Sequence, residues 1–84
     1  MAKRASRRYA VCIDNSGYLA SLELHKLYQV LADPKAERDG ALRVVDESGE
    51  DYLFDAERFL LVDLPQDSRR VLSRSFSRSH EHAR

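Results

Sequence analysis

Four carboxylates in the middle of the chain form the group whose spacing invites a metal-site interpretation: Asp46, Glu47, Glu50 and Asp51. A hard cation such as Ca²⁺ needs several oxygens that converge on one point, as in loops of the form D-x-D-x-D-G. Here the acids flank a Ser-Gly pair that predicts a tight turn, so we expect their side chains to point outward in pairs. The sequence therefore indicates a solvated turn, and it predicts no metal site and no cofactor.

Cys12 is the one cysteine of the chain, and it raises the question of thiol catalysis. A catalytic thiol needs a nearby base and a polar setting, and His25 is the candidate base in the body of the chain. The spacing does not place the two residues side by side, and Cys12 lies in the apolar run VCI. We therefore predict a small buried side chain in a protein that stays in a reducing compartment.

Other catalytic arrangements find little support in the sequence. The chain has no Ser-His-Asp, zinc-ligand or phosphate-loop spacing. Asp14, Asp46 and Glu50 would have to pair for acid–base catalysis, but an 84-residue chain offers little room for a cleft that excludes water. The sequence predicts a protein that is not an enzyme. It shows neither a membrane-spanning run nor a signal peptide, so we expect a cytoplasmic location.

The acidic turn lies at the centre of LRVVDESGEDYLF, residues 42–54, which predicts a β-hairpin. A two-residue loop would need a left-handed backbone at Ser48, whereas a three-residue loop, 47–49, needs it only at Gly49. We favour the three-residue loop, which places four side chains on one face: Leu42, Val44, Tyr52 and Phe54. The other face carries Arg43, Val45, Asp51 and Leu53. Its apolar members need cover from a helix, a loop or a partner.

Further elements on either side of the hairpin complete the predicted fold. Strands are predicted at 9–14, 27–31 and 59–63, a helical turn at 34–39 with Asp33 as its N-cap, and a 3₁₀ turn at 55–58. The loop 18–26 carries three leucines that we expect to plug the core: Leu19, Leu22 and Leu24. Residues 66–76 predict a short helix that covers the second face of the hairpin, and we expect disorder at 1–8 and 77–84.

These elements together describe an all-β fold, a small five-stranded SH3-like barrel over residues 9–65 with a basic N-terminal arm and a C-terminal helix or tail. The stretches CIDNSGY at 12–18, SLELHKLY at 21–28 and VVDESGEDYLFDAERF at 44–59 resemble a family of small, mostly uncharacterised bacterial proteins with SH3-like folds. The resemblance covers about residues 9–65. It implies the fold and a bacterial origin, and it implies no activity. Such sequences often carry glycine at the position of His25.

The net charge is zero, but the charge is distributed in three blocks. Residues 1–8 carry four basic and no acidic side chains, residues 9–65 carry five basic and twelve acidic ones, and residues 66–84 carry five and two. The chain is therefore an acidic body of charge −7 between basic ends of +4 and +3. Such asymmetry bears on association rather than on fold.

The candidate partner-binding surface combines aromatic and acidic side chains of the predicted loops and hairpin: Tyr18, Tyr52, Phe54, Asp14, Glu50 and Asp51. We predict that the protein is an interaction module that binds a protein partner there. A proline-rich ligand is disfavoured because the chain has no Trp. The alternative that these rings only pack within the fold stays open.

Two further association modes follow from the arginines near both ends: Arg4, Arg7, Arg8, Arg69, Arg70 and Arg74. In the first, a nucleic-acid-associated accessory protein binds through these arms, weakly and with steep salt dependence, although the acidic body repels phosphate. In the second, the basic ends lie on the acidic body of the same chain or of a second copy, in a weak, salt-sensitive self-association. The second mode accounts better for the charge layout than the first, and the alternative of a solvated tail without a partner stays open.

Overall fold

In a computed structural model of the protein, the backbone is described for residues 8–82 and the side chains for residues 8–76. The elements are β1 (Arg8–Cys12), β2 (Leu27–Leu31), α1 (Pro34–Arg38), β3 (Ala41–Val45), β4 (Asp51–Asp55), a 3₁₀ helix (Ala56–Arg58), β5 (Phe59–Val62) and α2 (Gln66–His82). The strands form one antiparallel sheet in the order β4-β3-β2-β1-β5. The fold is thus mostly strands in a single five-stranded sheet, with one longer helix at the C-terminal end.

The central hairpin has the predicted three-residue loop. Leu42 pairs with Phe54 and Val44 pairs with Tyr52 across β3 and β4. The turn closes through a hydrogen bond from the Gly49 N–H to the Asp46 carbonyl oxygen, 3.0 Å long. Gly49 has a φ of 87°, in the left-handed region that glycine adopts without a Cβ penalty. The predicted register is therefore confirmed.

The short helix α1 also forms as the sequence predicts. The Asp33 carboxylate accepts a hydrogen bond from the Ala36 N–H at 3.1 Å, and Pro34 occupies the first turn, where a missing N–H costs nothing. Gly40 follows the helix with a φ of 83° and leads directly into β3. One helical turn thus connects β2 to β3 and lets the two strands pair.

The core lies on one face of the sheet and contains a single cluster: Ala10, Cys12, Leu22, Tyr28, Val30, Leu42, Val44, Phe54 and Phe59. Cys12 is fully buried, as predicted for a small apolar side chain. Of the three leucines expected to plug the core, only Leu22 does so, whereas Leu19 and Leu24 are exposed. The prediction was wrong for those two because the loop makes tight turns around Leu22 and turns its neighbours outward.

The C-terminal helix α2 is longer than predicted. It runs from Gln66 to His82, beyond the end at residue 76 that the sequence predicts. No proline or glycine follows Pro65 to interrupt the helix. Arg8 likewise belongs to β1 instead of the expected arm. The predictions for residues 1–7 and 83–84 lie outside the described residues. No helix in the described part of the chain combines the length and the apolar character needed to cross a membrane.

Helix α2 packs against β1, and not against the hairpin. The fully buried Tyr9 donates a hydrogen bond from its hydroxyl to the Arg69 carbonyl oxygen at 3.3 Å. Its ring stacks on Phe76 with the centroids 5.8 Å apart. Leu53, on the hairpin face that the helix was expected to cover, stays 48% exposed. The expectation was wrong because the large apolar surface of Tyr9 offers the helix a better contact than the mixed hairpin face.

Candidate functional site

An open groove of about 400 Å³ lies between the loop after β1 and the β3–β4 hairpin. The residues that line it are Tyr18, Ser21, Asp46, Ser48, Tyr52, Leu53 and Phe54. The three aromatic residues of the predicted partner-binding surface are therefore brought together in one place. They come from two chain segments that β2, α1 and β3 separate along the sequence.

The three rings of the groove differ in exposure. Phe54 is only 5% exposed and forms the floor, with its ring edge-on to Tyr18 at 5.1 Å and close to Phe59 at 6.0 Å. Tyr18 and Tyr52 are 41% and 49% exposed. The alternative that the rings serve only as packing holds for Phe54. The two tyrosines pack only in part and present large amphipathic surfaces to solvent, so the alternative stays open for them.

Arg58 holds Tyr18 in position, a contact that no sequence pattern predicts. The Cζ atom of Arg58 lies 4.8 Å from the centroid of the Tyr18 ring, a cation–π geometry. Its Nη1 atom donates to the Asp14 carbonyl oxygen at 3.1 Å and lies 3.6 Å from the Asp14 carboxylate. Asp14 and Arg58 are 44 positions apart, so no local spacing could have signalled the contact.

Asp14 therefore supports the loop and does not line the groove. Its carboxylate accepts hydrogen bonds from the Ser16 hydroxyl at 2.7 Å and the Ser16 N–H at 3.0 Å. These two bonds, with a smaller contribution from Arg58, hold the pKa of Asp14 below its usual value. The charged carboxylate thus stabilises the turn that leads to Tyr18.

The acidic turn of the hairpin is built differently from the solvated turn that the sequence indicated. Asp46 is buried, and its carboxylate accepts from the Ser48 N–H at 2.9 Å and the Ser48 hydroxyl at 2.6 Å. The Glu47 N–H donates to the Ser21 carbonyl oxygen at 3.0 Å. The prediction was wrong for Asp46, because an aspartate that caps its own turn turns inward. The bond to Ser21 joins the two walls of the groove.

The Glu47 side chain adds a second link between the loop and the hairpin. It accepts hydrogen bonds from the Tyr28 hydroxyl and from Lys26 Nζ, the latter at 2.7 Å. The Tyr28 hydroxyl in turn accepts from the Glu23 N–H at 2.7 Å. Burial tends to raise the pKa of Glu47, but the bonds from Lys26 and Tyr28 outweigh burial and lower it. Burial together with the Glu47 hydrogen bond raises the pKa of Tyr28.

Glu50 and Asp51 lie on different sides of β4. Tyr52 donates from its hydroxyl to Glu50 at 3.1 Å, which raises the pKa of Tyr52 and places a carboxylate beside an exposed ring of the groove. Asp51 instead accepts from Arg43 Nη1 at 3.0 Å on the opposite face of the strand. Of the six predicted site residues, Tyr18, Tyr52 and Phe54 line the groove, Glu50 contacts it only through Tyr52, and Asp14 and Asp51 lie outside it.

The arginines of the predicted basic arms differ in their surroundings. Arg8 pairs with Glu37 of α1, and Arg69 donates to the Leu64 carbonyl oxygen at 2.9 Å, so both are engaged within the fold. Arg70 is exposed and lies 3.7 Å from Asp67 across one helical turn, and Arg74 is exposed on α2. Arg4 and Arg7 lie outside the described residues.

Catalytic and metal-binding groups are not found beside the groove in the described part of the chain. Among the residues that the structure describes, no three His, Cys, Asp or Glu side chains are grouped to hold a metal ion. The His25 N–H donates to the Cys12 carbonyl oxygen at 2.7 Å, but the His25 side chain is exposed while the thiol is buried.

Comparisons of the chain with protein-family models, with curated protein sequences and with solved structures find no match.

Proposed function

We propose that the protein is a non-catalytic interaction module, built on a small SH3-like barrel, that binds a segment of a partner protein in the aromatic groove. The barrel is supported by the strand order, in which β4 and β5 form the two edges of the sheet. It is also supported by the 3₁₀ helix that joins these edges, and by the 6.0 Å approach of Phe54 in β4 to Phe59 in β5.

The observation that carries the proposal is the pair of half-exposed tyrosines over the floor made by Phe54. Tyr18 is held by Arg58 and Phe54, and Tyr52 is held by Glu50, so neither ring has to be ordered when a ligand arrives. Preordered aromatic side chains contribute strongly to binding because little conformational entropy is lost.

The chemistry of the groove defines the segment it binds. Apolar contact is available from three rings and Leu53, while Glu50 lies beside Tyr52 and the whole body carries a charge of −7. A partner segment with an apolar side chain flanked by lysine or arginine matches both features. Proline-rich ligands fit less well, since the groove has no tryptophan.

A peptide-display selection tests this function. Random peptides are selected on the intact protein, on Tyr52→Ala, and on Leu60→Ala, which removes a comparably exposed side chain on β5. We expect the intact protein and Leu60→Ala to enrich the same peptides, with apolar residues next to lysine or arginine, and Tyr52→Ala to lose them. No enrichment on the intact protein, or enrichment that survives Tyr52→Ala, contradicts the proposal.

Nucleic-acid binding through the arginine arms is the alternative, and Arg70 and Arg74 on the outer side of α2 are the observation in its favour. Two of the predicted arm arginines, Arg8 and Arg69, are instead engaged within the fold. Fluorescence anisotropy with a labelled single-stranded oligonucleotide distinguishes the two functions. Tight binding that falls steeply with salt and is lost in Arg70→Glu/Arg74→Glu would establish the alternative.

A further inference from the structure

The outward face of α2 carries an exposed apolar side chain and two exposed arginines, together with Asp67, which lies 3.7 Å from Arg70. Val71 is 57% exposed, and the exposed Arg70 and Arg74 lie beside it. At about 100° per residue these three positions share one side of the helix, whereas Leu72 and Phe76 lie on the other side, toward β1. This face has the chemistry that the groove is proposed to bind: an apolar side chain beside two arginines.

The helix cannot present this face to the groove of its own chain. The bond from the Tyr9 hydroxyl to the Arg69 carbonyl oxygen and the stacking of Tyr9 on Phe76 fix α2 against β1. With the opposite side of the helix docked, Val71 points away from the domain that carries it. A groove that contacts Val71 must therefore belong to another molecule.

We infer that the aromatic groove of one copy binds the outward face of α2 of a second copy. Val71 enters between Tyr18 and Tyr52 above Phe54, and the two arginines face Glu50 and the acidic body. Charge complementarity favours this occupant, because residues 9–65 carry −7 and residues 66–84 carry +3. The inference rests on the proposed function, since it names one partner of the same groove.

The resulting contact is heterologous, because the two copies use different surfaces. Each molecule keeps a free groove at one end and a free helix at the other, so association continues into chains or closes into a ring. Exposed charges that attract one another are screened by salt, so the association weakens as ionic strength rises. We expect a weight-average mass that grows with protein concentration and falls toward the monomer in high salt.

Two variants separate the two surfaces. Tyr52→Ala removes a ring from the groove and keeps the helix face, whereas Val71→Ala/Arg74→Glu alters the helix face with residues that favour helix and keeps the groove. Arg38→Glu, on the exposed side of α1, makes the same charge change elsewhere. Circular dichroism checks that each variant is folded, and sedimentation equilibrium measures its mass between about 0.01 M and about 1 M salt, where the screening length falls from about 30 Å to about 3 Å.

We expect the intact protein and Arg38→Glu to self-associate in low salt, and each of the two surface variants to be monomeric. An equimolar mixture of the two surface variants should form a dimer and nothing larger, since one intact groove and one intact helix face remain. An intact protein that stays monomeric, a mixture that does not dimerise, or variants that still self-associate would overturn the inference. In the peptide selection, enrichment lost by Tyr52→Ala would still support the groove, so the two proposals fail separately.

Discussion

His25 has a φ of 64°, which makes it the one residue other than glycine with a positive φ in the described part of the chain. For a residue with a Cβ atom, the left-handed region costs about 1–2 kcal/mol. Glycine removes that cost but loses more backbone entropy on folding, by about 0.5–1 kcal/mol. His25→Gly should therefore stabilise the fold by about 0.5–1 kcal/mol, or about 2–8 °C in Tm for a domain of this size.

The surroundings of His25 make this estimate simple to test. Its side chain is exposed, and the bond from its N–H to the Cys12 carbonyl oxygen does not depend on the side chain. Urea unfolding followed by circular dichroism gives the free energy of unfolding, with an unchanged m-value as the check that the denatured state is the same. His25→Ala is the matched control, because it removes the same imidazole and keeps the Cβ atom.

We expect His25→Ala to be no more stable than the intact protein, so that the difference between the two variants isolates the backbone contribution. A His25→Gly variant that is destabilised as much as His25→Ala would show that the turn at 25 is not left-handed.

Three further outcomes follow from the contacts of the hairpin and the loop. Gly49→Ala should destabilise the fold by about 1–2 kcal/mol in urea unfolding, because its φ of 87° is strained for alanine, and Gly49→Asn, which tolerates the left-handed region better, should lose less. Glu47→Gln should lose about 1–2 kcal/mol, since it weakens the charge-assisted bonds from Lys26 and Tyr28. The pKa of Glu47 in the folded state lies below its ordinary value of 4.5, so the charged carboxylate stabilises the fold above that pH and this stabilisation is lost as the pH falls. The free energies of unfolding of the intact protein and of Glu47→Gln should therefore converge on acidification. Arg58→Ala should weaken peptide binding in the groove, but by no more than Tyr18→Ala, while the sheet stays folded, and unchanged affinity by calorimetry would show that the cation–π contact does not position Tyr18.

The features that the sequence predicted correctly depend on interactions between residues close together in the chain. The hairpin register depends on the glycine at 49, and the N-cap of α1 depends on Asp33 three residues before Ala36, and both effects act within a few positions. The gathering of Tyr18, Tyr52 and Phe54 was also predicted, because strand alternation and the loop position together limit where these rings can lie.

The features that the sequence did not predict depend on contacts between residues far apart in the chain. Arg58 over Tyr18 and the tie from Glu47 to Ser21 join residues that no periodicity relates. The docking of α2 on Tyr9 instead of the hairpin depends on which face of β1 remains uncovered once the sheet is formed. The burial of the Asp46 side chain could not be predicted because the run of acids looks uniformly solvated in the sequence. In the fold, Asp46, Glu47 and Asp51 each have a different partner.

The buried Cys12 gives this protein a built-in reporter of local opening. Its thiol is the only one in the sequence and has no contact with solvent in the folded state, so an alkylating reagent reacts only with molecules in which the packing around Cys12 opens, including the loop residue Leu22 in the same cluster. When the protein closes again faster than the reagent reacts, the labelling rate of Cys12 divided by the rate for an unfolded peptide equals the equilibrium fraction of molecules with the thiol exposed. A ligand that clamps the long loop to the hairpin slows this reaction in proportion to the loop opening it suppresses, so occupancy of the groove becomes readable by mass without attaching any dye.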